Sequence, residues 1–275
     1  MASVERLVQE TQQQRSPGVK GFSHKMAMGV VYRHAPAPSE ERELMDAMAS
    51  TTESDLAEWI SEIDKALLSA GLPLRPDRQA PPHAEMSEVS PHIYVGSSRD
   101  ARNVESLKAA GITCVINCGS SDESGTSSRY YDRAGISYVE LGMHDSNGAF
   151  GQWLTDGKLP ALSGTKASSL DRNNFPPTKA LDMAMKTIRS QAKYGRSLLL
   201  HCVEGKNRSV AIGIAFLVRK CQFDLISAIV HVKRLRPESL SNRSYIEQLV
   251  IYHALLGCSS PHESRKSNKG SCAIW

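Results

Sequence analysis

The 275-residue chain is short of most features that advertise a function. No apolar stretch is long enough for a membrane span: the longest, Val210 to Val218, runs nine residues, less than half of the roughly 20 that a transmembrane helix needs. The start, Met1-Ala-Ser-Val-Glu-Arg, has neither the charged-then-apolar pattern of a signal peptide nor a glycine after Met1 for myristoylation. The six cysteines (114, 118, 202, 221, 258 and 272) form no CxxC pair and no regular framework, which reads as reduced thiols in the cytosol rather than a disulfide scaffold. No His/Cys/Asp cluster stands at metal-ligand spacing. No dense basic stripe is interleaved with aromatics, and a net charge of +4 is too mild for a nucleic-acid binder. No metal, cofactor or nucleic-acid partner is therefore expected. What is present is ordinary for a soluble globular protein: 40% apolar and 23% charged residues, which excludes a wholly disordered or collagenous chain.

Residues 1–38 read as an irregular tail, with Gln12-Gln13-Gln14 and Pro17-Gly18 between short apolar groups. Residues 39–82 read as a helical extension ending in a proline-rich linker. Within it Leu56, Trp59, Ile60, Ile63, Leu67 and Leu68 recur at three- and four-residue steps, so one stripe of a helix is apolar. Thr52 with Asp55 suits its start, and Gly71 followed by Pro73 its stop. Such a helix must dock to persist in water; packing on the following domain is expected, with a partner protein as the alternative. From residue 83 to 258 strands alternate with helices. Strands are predicted at His92–Val95, Ile112–Asn117, Ile136–Leu141 and Ser197–His201; helices at Ala101–Ala110, Lys179–Ala192, Ser209–Lys220, Asp224–Leu235 and Arg243–Leu256. The continuously apolar Leu198-Leu199-Leu200 belongs at the centre of a sheet covered on both faces. The fold class is therefore α/β, a mostly parallel central sheet flanked by helices. Residues 146–177 form a connection far longer than usual, and residues 259–275 a polar tail.

The informative stretch is His201-Cys202-Val203-Glu204-Gly205-Lys206-Asn207-Arg208-Ser209, between a buried strand and an apolar helix. At such a helix start several N–H groups lack intrahelical partners and the dipole presents its positive end. A loop there can curl so that the N–H groups of residues 203–208 cradle a tetrahedral anion. Gly205 supplies the freedom to curl. Arg208, six positions after Cys202, can return its guanidinium to the same centre and grip two phosphate oxygens. The same positive field favours the thiolate form of a cysteine placed there.

With these residues in view, the segment from about Glu88 to Leu256 resembles the dual-specificity phosphatases of the cysteine-based tyrosine phosphatase superfamily. The resemblance rests on Val89-Ser-Pro-His-Ile-Tyr-Val-Gly96, Ala110-Gly-Ile-Thr-Cys-Val-Ile-Asn117, the HCxxGxxR loop followed by Ser209, and Arg236-Pro237 leading to Asn242 and Gln248. It implies a tyrosine-phosphatase-like fold, with Cys202 as nucleophile, Arg208 as phosphate clamp, Ser209 as the hydroxyl that helps the cysteine depart, and His201 orienting the loop. It also calls for an acid that protonates the leaving oxygen, an aspartate just past the strand preceding the long connection. Asp145 holds that place but lies 57 residues before Cys202, a wider gap than the family's. Asp171, 31 residues before, suits the spacing but follows no strand. Local context favours Asp145.

The expected activity is a protein phosphatase acting on phosphotyrosine and phosphoserine/threonine. The 172 residues from Ser87 to Cys258 leave no room for the added loop that deepens the pocket of strictly tyrosine-specific relatives. Two alternatives stand beside it: the same chemistry on a phosphoinositide, phosphoglucan or RNA 5′ phosphate, which the extra cation Lys206 would suit, and a non-catalytic phosphoprotein-binding adaptor. The expected partner is a phosphorylated protein, a protein kinase among the candidates; nothing in the sequence bears on oligomeric state. The expected location is cytoplasmic, the nucleus being open to it. Membrane contact would require a lipid on Cys272 of the C-a-a-X-like end Cys272-Ala-Ile-Trp275.

Overall fold

The computed structural model describes residues 53–74, 76, 83, 85–143, 177–221, 223–256 and 261. The expectations placed on residues 1–38, Asp145, Asp171, the insertion as far as residue 176 and the tail with Cys272 lie outside the described residues. Five strands, β1 (Ser87–Ser90), β2 (Ile93–Gly96), β3 (Ile112–Asn117), β4 (Ser137–Glu140) and β5 (Ser197–His201), form one sheet in the order β1-β2-β5-β3-β4. Only the β1–β2 pair is antiparallel. The central strand is the one with the continuous apolar run, and all five of its residues are buried. Its side chains alternate between faces. Leu198 and Leu200 join Ile93, Val95, Cys114 and Ile116 in the larger core, while Leu199 joins Val115, Ile112 and Tyr131 in a smaller one.

Around the sheet lie α1 (Glu53–Ser69), α2 (Ser98–Arg102), α3 (Val104–Ala109), α4 (Ser121–Ser124), α5 (Ser128–Tyr131), α6 (Pro177–Ala192), α7 (Arg208–Cys221), α8 (Leu225–Leu235) and α9 (Ser244–Leu255). The larger core collects apolar residues of α1 and α6 to α9; the smaller collects Ala101, Leu107 and Tyr131 from α2, α3 and α5. Three differences from the sequence reading have local causes. The helix expected over Ala101–Ala110 is two short helices, because Asn103 leaves helical geometry (φ −87°, ψ 80°) and its side chain caps the second by accepting from the Ser106 N–H at 3.0 Å. Strand β1, too short to show a period, pairs with β2 through a turn in which His92 takes a positive φ of 65°. The four-residue helices α4 and α5 are likewise below the length at which periodicity speaks.

Helix α1 docks on the domain, against α8 and α9. Leu56, Trp59, Ile63 and Leu67 are buried, whereas Leu68, at the edge of the stripe, is 63% exposed. Trp59 meets His253 of α9 edge to face, ring centroids 5.1 Å apart, and Arg243 reaches Asp64 at 3.2 Å. The helix ends as predicted at Gly71: with φ +69° there, the Gly71 N–H bonds to the Leu68 carbonyl at 3.0 Å and the Leu72 N–H to that of Leu67 at 2.9 Å. Trp59→Ala should therefore cost about 3–5 kcal/mol of unfolding free energy in urea; a loss below about 1 kcal/mol would mean that the helix contributes little packing.

Candidate active site

Parallel pairing brings Gly96, Asn117 and His201 level at the carboxyl ends of β2, β3 and β5, where open parallel sheets place their ligand sites. Residues 202–207 bridge from there to α7, whose first residue is Arg208. Three carbonyls of this bridge are bound from outside. That of Val203 accepts from the Ser98 N–H (3.0 Å) and hydroxyl (3.1 Å); that of Gly205 accepts from Arg236 Nε (3.2 Å); that of Lys206 accepts from the Leu240 N–H (2.8 Å). In a trans peptide the N–H lies opposite the C=O, so the N–H groups of Glu204, Lys206 and Asn207 turn to the inner side. The Gly205 N–H donates to Cys202 Sγ at 3.3 Å. The result is a nest of donors around the thiol at a helix N-terminus, suited to a tetrahedral anion. Gly205 has no alternative here: its φ is +70°, and a Cβ would stand 2.7 Å from the Gly96 carbonyl group.

The structure brings the loop residues named from the sequence together. Cys202 is 2% exposed, and its Sγ lies 3.4 Å from Ser209 Oγ, close enough for that hydroxyl to donate to a thiolate. His201 is buried behind the loop. Its Nδ1 lies 3.3 Å from the Cys202 carbonyl, which can only accept, so Nδ1 carries the proton and Nε2 faces the Thr126 hydroxyl at 3.4 Å. Burial pushes this imidazole down from 6.5 to about 4, against the backbone hydrogen bond and with the help of the Arg208 charge. Asn207 ties the loop to the α8–α9 connection by accepting the Asn242 N–H at 3.2 Å and donating to Ser241 Oγ at 3.2 Å. The Lys206 side chain is buried and its Nζ lies 3.3 Å from the carboxylate of Glu204, a half-exposed neighbour that offsets its charge.

Two residues at the site escaped sequence reasoning. Glu123 of α4 accepts from Arg208 Nη1 at 2.6 Å, and the same nitrogen donates to the Met143 carbonyl at 2.8 Å. Gly119 lets the pair approach the backbone, since a Cβ there would stand 2.6 Å from Arg208 Nη1. Nothing in a Ser/Asp/Glu/Ser turn marks one carboxylate as the partner of a residue 85 positions away. The second is Cys118, beside Cys202 on the same face of the sheet by the strand register. Burial, reinforced by the negative charge of Cys202 and opposed by Arg208, holds its thiol well above the ordinary value. Of the two, only Cys202 has its sulfur in the nest. Cys114, Cys118, Cys202 and Cys221 are free thiols, and among the described residues no three His, Cys, Asp or Glu side chains gather as for a metal. No helix among them is long and apolar enough to cross a membrane.

A buried thiol beside backbone donors, with an arginine six residues on at the first position of the next helix, is the arrangement of the phosphate-binding loop of the cysteine-based phosphatases. Comparison with known proteins makes the assignment specific: residues 93–254 match the family "Dual specificity phosphatase, catalytic domain", and the chain belongs to that family. It is similar to the human dual specificity protein phosphatase 9 (24% identical over 224 residues, 80% of this chain and 50% of the relative). It is similar also to the rat dual specificity protein phosphatase 26 (30% identical over 169 residues, 61% of this chain and 66% of the relative). The chain spans about half the length of the first curated relatives it matches. Among solved structures, human DUSP28 aligns with 65% of this chain and 99% of its own, at 21% identity and a TM-score of 0.48.

Two outcomes follow from the site. Because His201 is neutral when folded, with its pKa lowered from 6.5 to about 4, the unfolded chain binds the additional proton between those values. Stability should fall as pH drops from about 6.5 to about 4, by up to about 3 kcal/mol from this group, and no further below; urea midpoints across that range for wild type and His201→Asn measure it, the variant losing that part of the slope. Glu123→Gln keeps the shape but removes the charge holding Arg208, so KM for an aryl phosphate should rise roughly tenfold with a smaller change in kcat. Unchanged kinetics would show that Met143 alone suffices.

Proposed function

We propose that the chain is a dual-specificity protein phosphatase that hydrolyses phosphotyrosine and phosphoserine/threonine through a phosphocysteine intermediate. The observation that carries this reading is the set of outward-bound carbonyls, which leaves the inward N–H groups and the Cys202 sulfur to one tetrahedral centre. The Cys202 thiolate attacks phosphorus, forming the S–P bond while the bond to the leaving oxygen breaks. Arg208 and the loop N–H groups hold the three equatorial oxygens as charge shifts. Water then attacks the phosphocysteine, releasing inorganic phosphate, and the Ser209 hydroxyl donates a hydrogen bond to the departing sulfur.

Asp145 is the proposed acid. It would protonate the leaving oxygen in the first step and take the proton of the attacking water in the second. Its support is the path of the preceding chain. After β4, the N–H groups of Leu141, Gly142 and Met143 bond in turn to the carbonyls of Asn117, Gly119 and Cys118, and the Met143 carbonyl meets Arg208. That brings the chain to the clamp two residues before Asp145. Asp171 has only its spacing in its favour. The readings with a phosphoinositide, phosphoglucan or RNA 5′ phosphate lose support, since the charge of Lys206 is offset by the Glu204 carboxylate 3.3 Å away. The adaptor reading would leave Cys202, Arg208 and Ser209 assembled for no purpose. A cytoplasmic location belongs to the same proposal.

Cys202→Ser should abolish turnover of p-nitrophenyl phosphate yet trap phosphorylated protein stoichiometrically; Arg208→Ala should lose binding and rate together. Vanadate should inhibit, and chelators should not. Asp145→Asn should lower kcat by roughly 10²–10⁴-fold on phosphopeptides, whose leaving groups have high pKa, and far less on the activated nitrophenolate. Substantial turnover by the Ser variant would sink the covalent mechanism, and an Asp171→Asn variant behaving as described for Asp145 would transfer the acid's role.

A further inference from the structure

Arg236 is completely buried, and its guanidinium joins four parts of the chain. Nε donates to the Gly205 carbonyl at 3.2 Å. Nη1 donates to the Glu85 carbonyl (2.9 Å), to Ser87 Oγ (3.2 Å) and to the Val95 carbonyl (3.4 Å). Nη2 lies 3.6 Å from Glu238, which His83 also approaches at 3.6 Å. Nη2 is also 2.9 Å from where a Cβ of Gly205 would stand, so the missing side chain is what admits the guanidinium. Burial pulls Arg236 below its ordinary pKa, and the negative charges of Glu238, Asp100 and Cys202 oppose that. Removing a cation from water is expensive, and here Nε and Nη1 are met mainly by carbonyls while the buried Nη2 has only the Glu238 carboxylate at 3.6 Å. A packing role alone would be served by an apolar side chain.

The expense has a geometric return at Gly205. On one side of its Cα the carbonyl is gripped by Arg236; on the other the N–H donates to Cys202 Sγ at 3.3 Å. At φ +70° both peptide planes of this residue could swing, and the Arg236 bond fixes one of them. We propose that Arg236 is a positioning residue for the nucleophile: by holding the Gly205 carbonyl outward it keeps the Lys206 N–H of the same peptide in the nest, and it anchors the Gly205 Cα from which the neighbouring N–H reaches the Cys202 sulfur. Arg236 is itself fixed by the segment from Glu85 to Ser87, so the lead into β1 and its first residue belong to the reactive assembly. Neighbouring interactions support the same geometry. Lys233 Nζ donates to the Ser239 carbonyl at 2.7 Å and the Pro237 carbonyl at 3.3 Å, closing the turn after Arg236 and presenting the Leu240 N–H to the Lys206 carbonyl. The proposal rests on Cys202 being the phosphatase nucleophile but is tested by a reaction that needs no turnover.

The test is carboxymethylation by iodoacetate at one fixed pH, an anion that must enter the nest to reach sulfur, with the Cys202 adduct counted by peptide mass. Arg236→Lys keeps a cation and loses the fork, and Ser87→Ala loosens the anchor without opening the loop. The rate constant at Cys202 should fall about tenfold in the first and about two- to threefold in the second, with kcat on p-nitrophenyl phosphate falling alongside. A merely structural Arg236 would lower the melting temperature and leave the folded protein's alkylation rate at the wild-type value, which overturns the proposal. If Arg236→Lys does not fold, Ser87→Ala decides alone by the same criterion. Slowed alkylation in both variants of a protein that turns over no phosphorylated compound would sustain the positioning role and remove the phosphatase reading; normal turnover with unchanged alkylation would do the reverse.

Discussion

The direction of three peptide carbonyls governs the site. A loop of six residues between a strand and a helix cannot satisfy its own backbone groups, and which half of each peptide is bonded away decides which half faces the cavity. Here Ser98, Arg236 and Leu240 take the carbonyls of Val203, Gly205 and Lys206. These three partners come from α2, from the residue that closes α8, and from the α8–α9 connection, and each of those segments is placed by its own packing. The anion nest is thus the inner face of a surface whose outer face is held by the rest of the domain.

The same requirement explains the buried polar groups around β5. Arg208, Arg236, Lys206 and Lys233 are all essentially inaccessible, an arrangement that would be destabilising without partners. Each has a carboxylate, a carbonyl or both: Glu123 and Met143 for Arg208, Glu238 with several carbonyls for Arg236, Glu204 for Lys206, Ser239 and Pro237 for Lys233. Burial still pulls Lys233 down to about 8. The carboxylate partners of these cations come from three separate segments, Glu123, Glu204 and Glu238.

The apolar side of the molecule answers to simpler physics and was more legible. The stripe Leu56, Trp59, Ile60, Ile63, Leu67 and Leu68 announced both a helix and its need for a docking surface, and Leu198-Leu199-Leu200 announced a central strand. Four of the six stripe residues and all three leucines of the strand are buried, Ile60 and Leu68 lying at the edges of the stripe. The motif Cys202-x5-Arg208-Ser209 was legible because its residues are near neighbours in the chain, so spacing and geometry are nearly the same information. The short elements were not legible: β1, α4 and α5 hold four residues each, fewer than a period can be read from, and the break at Asn103 depends on one side chain capping its own backbone.

What the sequence by itself determined is therefore local: the alternation that makes an α/β sheet, the helix that must dock, and the cysteine and arginine a fixed six residues apart across one tight turn. Tertiary structure alone decided the identities of the distant partners. Glu123 finds Arg208 across 85 positions, and Arg236 reaches Glu85 across 151. That Lys206 is buried while its partner Glu204 stays half exposed was likewise decided by packing. The reason is the range of the forces involved. Periodicity and turn chemistry act between residues within a few steps of one another, whereas a buried charge is partnered by whichever acceptor the packed core brings within about 3 Å, and that depends on every element at once.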